Sequence, residues 1–198
     1  PQGGNTSYCG GATPREDGQE VVISLERMRR IRSSDPIGGT LTVEAGCTLQ
    51  EVREAAAAID CQFPLSLGSQ GTCQIGGNLS TNAGGVQVLR YGNARELCLG
   101  LEVVTAQGEV GDGLRGLRKD NTGYDLRDLL IGSEGTLGII TAASLRLYPK
   151  PASRLAALVS CQHIEQALAL LGLARRRLDA SLTGFEVMHA YPVSLALR

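Results

Sequence analysis

Glycine-rich stretches that also carry hydroxyl and amide side chains offer the clearest chemistry in this sequence. They are "QGGNTS" (2–7), "PLSLGSQGT" (64–72), "IGGNLSTNAGG" (75–85) and "GSEGTLGII" (132–140). Successive backbone N–H groups in such stretches form concave sites for anions, and serine or threonine hydroxyls add donors for phosphate or ribose oxygens. Unrelated surface turns would explain any one stretch. The shared character of all of them favours one site for an extended, phosphate-containing cofactor.

Other motifs give weaker signals. "GDGLRG" (111–116) matches G-x-G-x-x-G, but "LRKDNTGY" follows it where a dinucleotide fingerprint needs a helix, so the tail of a hairpin is the better interpretation. His163 and His189 have no acidic or cysteine partner at ligand spacing, which predicts no metal site. Walker and G-x-S-x-G motifs are absent, and the six cysteines form no C-x-x-C pair, which favours reduced thiols.

Composition limits the remaining classes of protein. The 198 residues include 19 basic and 20 acidic residues, which argues against a general nucleic-acid or anionic-membrane surface. Glycine is the outlier at 26 residues, without a repeat period. No signal peptide and no apolar run of membrane-spanning length is visible. Because the chain starts at Pro1 inside a glycine loop, we expect a piece of a longer protein.

The elements that must position these stretches can be predicted from periodicity and turn signals. We expect strands at 21–25, 40–46 and 136–149, with a hairpin over 97–110 that turns at Gln107-Gly108. Thr48 and Glu51 form a capping box for a helix over 49–59, and a short helix over 124–132 ends at Gly132. Ser24 is expected to cap a helical turn through Ile31, and 65–77 to be loop. The composition of 76–85 argues against any helix or strand there.

The sequence "YPKP" predicts a domain boundary at 149–152. After it we expect a strand at 154–161, an amphipathic helix at 164–177 and a second strand at 181–188. This β-α-β start is too short to close a core, so its domain is expected to continue past Arg198.

Three long segments carry a resemblance to a known family. They are "PQGGNTSYCGGATP" (1–14), "GTCQIGGNLSTNAGGVQVLRYGN" (71–93) and "LRKDNTGYDLRDLLIGSEGTLGIIT" (117–141). Together they resemble the PCMH-type FAD-binding domain of the vanillyl-alcohol oxidase superfamily. Their closest likeness is to the branch with D-2-hydroxyglutarate dehydrogenase, D-lactate dehydrogenase and the glycolate oxidase flavoprotein subunit, and "RKDNTGYDL" and "RYG" lean towards the first of these.

The resemblance implies an α+β fold in which FAD lies between a small parallel β-α-β lobe and a larger antiparallel sheet with helices. Residues 1–150 would be the FAD-binding domain without its N-terminal strands. Residues 151–198 would begin an α+β substrate, or cap, domain.

The resemblance also implies cofactor contacts. The first stretch would wrap the FAD diphosphate, the second would line the cofactor, the third would follow the diphosphate, ribityl chain and ring, and the fourth would close over the adenosine half. The implied residues are Gly3, Gly4, Asn5, Thr6, Ser7, Pro64, Leu65, Gly68, Ser69, Gly71, Thr72, Gly76, Gly77, Thr81, Asn82, Gly84, Gly85, Glu134, Gly135, Gly138 and Ile139. Because Thr6 stands where some relatives carry a flavin-linked histidine, we predict non-covalent FAD.

The implied reaction is the oxidation of a D-2-hydroxy acid such as 2-hydroxyglutarate, with hydride transfer to flavin N5. No catalytic residue can be named, because the base, the arginines and any divalent metal site of such relatives lie mainly in the cap domain. The segment is therefore predicted to bind FAD without turning over alone. Electron-transfer flavoprotein or a quinone would accept the electrons. The full-length protein could form a homodimer, and we expect no nucleic-acid partner.

Alternatives remain open at this stage. They are a D-lactate or glycolate enzyme of the same fold, a non-catalytic FAD-binding accessory subunit, and a glycine-rich domain without a cofactor. A cytoplasmic location is the expectation, with membrane-peripheral and mitochondrial locations left open.

Overall fold

The computed structural model describes residues 1–196 and is built around a five-stranded antiparallel sheet with strand order β1-β2-β6-β4-β5. Its strands are β1 (Ile31–Asp35), β2 (Thr40–Glu44), β4 (Cys98–Val104), β5 (Val110–Gly113) and β6 (Ile139–Arg146). A second sheet pairs β3 (Cys61–Gln62) with β7 (Tyr148–Pro149). The helices are α1 (Leu49–Ala57), α2 (Ile75–Ser80), α3 (Val88–Tyr91), α4 (Leu126–Leu130), α5 (Ile164–Leu178) and α6 (Ala190–Ala196), with a 3₁₀ turn at Asp179–Ser181. The antiparallel sheet with helices confirms the predicted α+β class.

Apolar and polar residues alternate along strand β2, and this alternation determines which side chains face the core. Leu41 and Val43 are fully buried in the core, whereas Thr40 and Thr42 alternate with them and are less buried. Strand β6 lies between β2 and β4, so both of its edges are hydrogen-bonded, and nearly its whole length is buried. These two strands carry the core against which α1 and α2 pack.

Helix α1 begins at the predicted capping box. The Thr48 hydroxyl accepts from the Glu51 amide at 3.2 Å, and the Glu51 carboxylate accepts from the Thr48 amide at 2.8 Å. Such reciprocal capping stabilises a helix by about 1 kcal/mol. Leu49, Val52 and Ala56 then form the buried face.

Helix α2 contradicts the prediction that 65–77 is loop and that 76–85 holds no helix. Ile75 donates its amide to the Cys47 carbonyl (2.9 Å) and Gly76 to that of Ala45 (2.8 Å), so the neighbouring backbone satisfies the helix start. A Cβ on Gly76 would lie 2.8 Å from the Cβ of Ala45, which explains the glycine. This tertiary contact outweighs the low helix propensity of "GG".

A predicted hairpin and a predicted helix end are confirmed. The β4–β5 hairpin turns through Gly108, whose φ of +82° suits glycine, and β5 runs to Gly113. The "GDGLRG" motif therefore begins inside a strand and opens no helix. Asp125 caps α4, and Gly132, with φ of +84°, follows its end as expected.

Several predicted elements of residues 1–196 are wrong. No regular strand forms at 21–25, 154–161 or 181–188. A strand needs a partner that accepts and donates along its length. Among the described residues, 21–25 pairs only with Gln2, through an isolated bridge. Val21 and Leu155 are 87% and 98% exposed. Ser24 makes no helical cap, because its hydroxyl accepts only in a local turn from Glu26.

The sequence prediction also omitted β1, β3, α3 and α6. Within residues 1–30 a single isolated parallel bridge joins Gln2 to Ser24. None of the helices in residues 1–196 has the length and apolarity of a membrane span.

Candidate functional site

Three of the glycine-rich stretches meet at one cleft of about 110 Å³. The first stretch, α2 with the residue after it, and the 132–140 stretch each form part of its wall. Predicted residues on the wall are Gly3, Ser7, Gly76, Gly77, Thr81, Glu134, Gly135 and Ile139. Pro1, Gln2, Gly11, Ala12, Leu25, Ser80 and Ile140 complete it.

The first stretch lies directly against the start of α2. A Cβ on Gly3 would lie 3.5 Å from the Gln74 side chain and 3.7 Å from the Gly77 Cα. A Cβ on Gly4 would overlap the carbonyl of Thr72. The two backbones therefore approach each other as closely as glycine allows, and Gly4 has no room for any side chain.

The fourth stretch closes the other side of the cleft by bonding to the end of α2. Gly132 donates its amide to the Leu79 carbonyl at 3.1 Å, and Glu134 donates to the Ser80 carbonyl at 2.9 Å. A Cβ on Gly135 would lie 2.5 Å from the Pro1 ring. The end of α2, the first stretch and the fourth stretch thus surround one space.

Gly77 differs from Gly76, the other glycine of α2, because the space beside it is open. A Cβ placed on Gly77 would meet no atom within 4 Å. Its amide also has no hydrogen-bond acceptor within residues 1–196. Nearby, the buried Oε1 of Gln74 has no partner among the described residues. Bare backbone and unsatisfied polar groups at a cleft fit a ligand that lies against them.

Other predicted residues lie beside the cleft or away from it. Asn5 and Thr6 are exposed in the first stretch, and Gly68, Ser69, Gly71 and Thr72 form the loop before α2. Pro64 and Leu65 are buried, with Leu65 in the core.

Packing accounts for several further glycines. A Cβ on Gly85 would overlap the Ser66 carbonyl, one on Gly84 would lie 2.5 Å from Asn93 Oδ1, and one on Gly138 would lie 2.6 Å from Val103. Asn82 already accepts the Arg95 amide at 3.0 Å through its side-chain oxygen. These four residues hold the stretches in place in this structure.

The cleft wall carries little charge. Glu134 is the one charged side chain among the described lining residues, and the other polar side chains there belong to Gln2, Ser7, Ser80 and Thr81. A carboxylate suits ribose hydroxyls, which donate to it, better than phosphate oxygens. Anion binding would depend on backbone N–H groups, so the arrangement can hold a nucleotide cofactor.

The described residues offer no catalytic group at this cleft. Both histidines lie in the 163–189 region outside its lining, and residues 1–196 contain no group of three or more potential ligands placed to hold a metal. Burial raises the pKa of the Cys47 thiol, behind α2, to about 11. The described lining residues are therefore suited to binding a ligand.

Sequence reasoning missed seven lining residues, including Gln2, Leu25 and Ser80. Gln2, Ser80 and Ile140 lie inside the stretches 2–7, 75–85 and 132–140 and could have been included on that ground. Gln2 and Leu25 meet through the hydrogen bond from the Leu25 amide to the Gln2 carbonyl, at 3.4 Å. No local pattern in the sequence signals that pairing.

Comparison of the sequence with known families decides the cofactor. Residues 1–112 match the family described as the FAD binding domain. The chain belongs to this FAD-binding family. The resemblance to PCMH-type flavoproteins and the prediction of FAD as cofactor are confirmed by this match.

Relatives and solved structures agree with that assignment. The chain is 46% identical over 195 residues to the mitochondrial D-2-hydroxyglutarate dehydrogenase of Danio rerio, covering 98% of this chain and 36% of the relative. It is 42% identical to the D-2-hydroxyglutarate–pyruvate transhydrogenase of Saccharomyces cerevisiae, over 95% of this chain and 38% of that protein. A solved alkyldihydroxyacetonephosphate synthase superposes with a TM-score of 0.68 at 26% identity, covering 77% of this chain and 27% of that one.

These relatives also define what the chain represents. It spans little more than a third of the length of the curated relatives that it matches. The Danio rerio relative is named as mitochondrial, so the cytoplasmic location predicted from the sequence finds no support there.

Proposed function

We propose that this chain is the FAD-binding part of an oxidoreductase that oxidises a D-2-hydroxy acid of the 2-hydroxyglutarate type to the 2-oxo acid. The observation that carries the proposal is the cleft at which three separate glycine-rich stretches present bare backbone beside the open face of Gly77. The identity of 46% to a D-2-hydroxyglutarate dehydrogenase supports the substrate class.

The first stretch and α2 would hold the diphosphate. Gly3, Gly76 and Gly77 bring backbone to the cleft wall, and the Ser7 hydroxyl lies on the same wall. The Gly77 amide has no acceptor among the described residues, which leaves it available to a phosphate oxygen. Backbone donors can bind this dianionic group without a cluster of lysines.

The fourth stretch and Thr81 would hold the parts of the cofactor that carry hydroxyls. Glu134 offers a carboxylate to ribose hydroxyls, and Thr81 lines the same cleft. The cleft volume of about 110 Å³ is below the roughly 300–1,000 Å³ of typical small-molecule pockets. The cleft would therefore enclose one section of FAD, while the rest extends along the remaining predicted residues.

Bound flavin would supply a two-electron acceptor for the hydroxy acid. The chain's own task is to hold that group and to exclude water from one side of it. Thr6 is exposed beside the cleft, and its hydroxyl is too weak a nucleophile to bond to a flavin ring without an activating base. The attachment is accordingly proposed to be non-covalent.

Residues 151–196 would begin the part that binds substrate. Helix α5 confirms the predicted amphipathic helix, yet Ile164 and Leu168 on it are more than half exposed, and Ala167 is its one buried residue. We propose a domain boundary at 149–152, with the base, the arginines and any metal ligands placed in the remainder of a longer protein.

Titration of the purified 198-residue chain with FAD tests the proposal. The expected result is saturable quenching of flavin fluorescence, with visible flavin absorption that stays with the protein through desalting and is released by denaturation. A chain that is folded by circular dichroism yet binds no FAD would overturn the proposal. D-2-hydroxyglutarate, supplied with an artificial electron acceptor, should not be turned over by the chain alone, and full activity would contradict the assignment of catalysis to other residues.

A further inference from the structure

Arg95 joins three segments of the chain around the cofactor cleft. Its backbone amide donates to the side-chain oxygen of Asn82 at 3.0 Å. Its guanidinium donates through Nη2 to the carbonyl of Ile131 at 2.8 Å, and through Nη1 to the carbonyl of Asp128. One residue therefore bonds to the third stretch on one side and to the end of α4 on the other.

Of the two carbonyls that Arg95 contacts, that of Asp128 lies in α4 and that of Ile131 immediately precedes the fourth glycine-rich stretch. Gly132 follows Ile131, and a Cβ on it would lie 3.2 Å from Arg95 Nη2 and 3.6 Å from Asn82 Cβ. The Gly132 amide then bonds to the end of α2, as does that of Glu134. The guanidinium therefore holds the backbone in place just before the fourth stretch begins.

We propose that Arg95 is a positioning residue of the cofactor site, which fixes where the fourth stretch, with Glu134, lies relative to the end of α2 and Thr81. This inference rests on the proposed FAD site. Arg95 itself does not line the cleft, so it would act only through the backbone of the fourth stretch.

The chemistry of the guanidinium suits this role. A planar fork can donate to two carbonyls at once, whereas a lysine ammonium is a single point charge. Arg95 is 31% exposed, and its nearest carboxylate contact, with Asp128 Oδ1, is long at 4.0 Å. The carbonyl contacts therefore account for its placement, and charge-assisted hydrogen bonds of this kind are stronger than neutral ones.

Arg127, which lies on α4, provides a matched control. It is 28% exposed and donates through Nη1 to the Cys98 carbonyl at 2.9 Å, with further contacts to Asp125 and Asp128. It therefore resembles Arg95 in exposure and in bonding to backbone carbonyl groups. It contacts neither the 75–85 stretch nor the 132–140 stretch within the described residues.

The test compares Arg95→Ala, Arg95→Lys and Arg127→Ala in the 198-residue chain. Measurements are the dissociation constant of FAD, the thermal unfolding midpoint, and the hydrogen-exchange rates of the Gly132 and Glu134 amides without FAD. We expect Arg95→Ala to weaken FAD binding about tenfold or more, the equivalent of one lost charge-assisted hydrogen bond, and to accelerate exchange at both amides. Arg127→Ala should lower the unfolding midpoint comparably while leaving affinity and both exchange rates near wild type, and Arg95→Lys should recover part of the affinity.

Unchanged exchange at Gly132 and Glu134 in Arg95→Ala would overturn the inference. So would loss of FAD affinity in both alanine variants in proportion to their lost stability. Failure of the wild-type chain to bind FAD would instead overturn the proposed function. The exchange measurement without FAD would still decide whether Arg95 positions the fourth stretch.

Discussion

Gly3 and Gly77 face each other across the junction of the first stretch and α2, with only 3.7 Å between the Gly77 Cα and the place where a Gly3 Cβ would stand. Both lie on the cleft wall. Two distant parts of the chain thus bring bare backbone to the same space, which a flavin diphosphate would fill.

Substitutions at Gly77 should change FAD affinity and the unfolding free energy in different ways. Because a Cβ there meets no atom within 4 Å and the residue is helical, Gly77→Ala should raise the unfolding free energy of the FAD-free chain by about 0.5–1 kcal/mol. Gly77→Leu should fold but fill the cleft, so its FAD affinity should fall by at least about tenfold, the equivalent of 1.4 kcal/mol. Chemical denaturation and FAD titration measure the two effects.

Gly172 is the control for Gly77. It lies in α5, where the nearest atom to an added Cβ is Arg176 Nη1 at 3.6 Å. Gly172→Ala should give a similar gain in stability, and Gly172→Leu should leave FAD affinity unchanged. If Gly77→Leu bound FAD as tightly as Gly172→Leu does, Gly77 would not face the cofactor.

Gly76 should respond in the opposite sense to its neighbour. A Cβ at this position would lie 2.8 Å from that of Ala45, and both are held there by the hydrogen bond from the Gly76 amide to the Ala45 carbonyl. Gly76→Ala should therefore lower the unfolding free energy by about 1–3 kcal/mol, as overpacking of a core does. Urea denaturation measures this change. A Gly76→Ala chain as stable as wild type would show that the backbones of α2 and Ala45 can move apart to accommodate the added methyl group.

The contrast between these neighbouring glycines shows where sequence reasoning ends. The capping box at Thr48 and Glu51, the alternation in β2 and the hairpin at Gly108 are local patterns, and each prediction from them is confirmed. Helix α2 depends on the carbonyls of Ala45 and Cys47, which no pattern within 75–80 reveals. The strand predicted at 21–25 failed for the converse reason, because a local pattern cannot supply a partner strand.

In the candidate site, too, local sequence patterns predicted some features, and tertiary contacts decided the others. Composition pointed to four glycine-rich stretches, three of which meet at the cleft. The resemblance named the cofactor, which the family match confirms. Which glycines face open space and which fit against a neighbouring carbonyl depends on tertiary approach. Gly77 and Gly85 look equivalent in sequence, yet a Cβ is free at the first and overlaps Ser66 at the second.

Arg32 should make stability depend on pH. Its guanidinium forms a two-point pair with Glu102, at 2.8 and 3.0 Å, and also contacts Glu44. The hydrogen bond from Arg32 holds the pKa of Glu102 below its ordinary value, and that from Arg30 does the same for the pKa of Glu44. A lowered folded-state pKa stabilises above the unfolded pKa, and this contribution disappears as pH falls through the folded pKa.

Arg32→Met should therefore lower the unfolding free energy near neutral pH by about 1–3 kcal/mol. The difference from wild type should shrink as pH falls below the ordinary carboxyl range. Urea denaturation at several pH values measures this. Arg15→Met is the control, since the Arg15–Glu20 pair is largely exposed and should change stability by no more than about 1 kcal/mol. A difference between wild type and Arg32→Met that stayed constant down to acid pH would rule out a contribution from this charge pair.

Thiol alkylation should distinguish Cys9 from Cys98 and report on FAD. Burial raises the pKa of the Cys98 thiol to about 12, so its thiolate is scarce and inaccessible, whereas Cys9 is exposed. The Cys9 amide donates to the hydroxyl of Ser7, a residue of the cleft wall, at 3.3 Å. We expect iodoacetamide to modify Cys9 in the folded chain and Cys98 only after denaturation, and saturating FAD to slow the reaction of Cys9.

Cys161 is partly exposed and lies outside the cleft, so its rate should not respond to FAD. Peptide mapping by mass spectrometry gives each rate, and a Cys9 rate that is identical with and without bound FAD would remove the first stretch from the cofactor site.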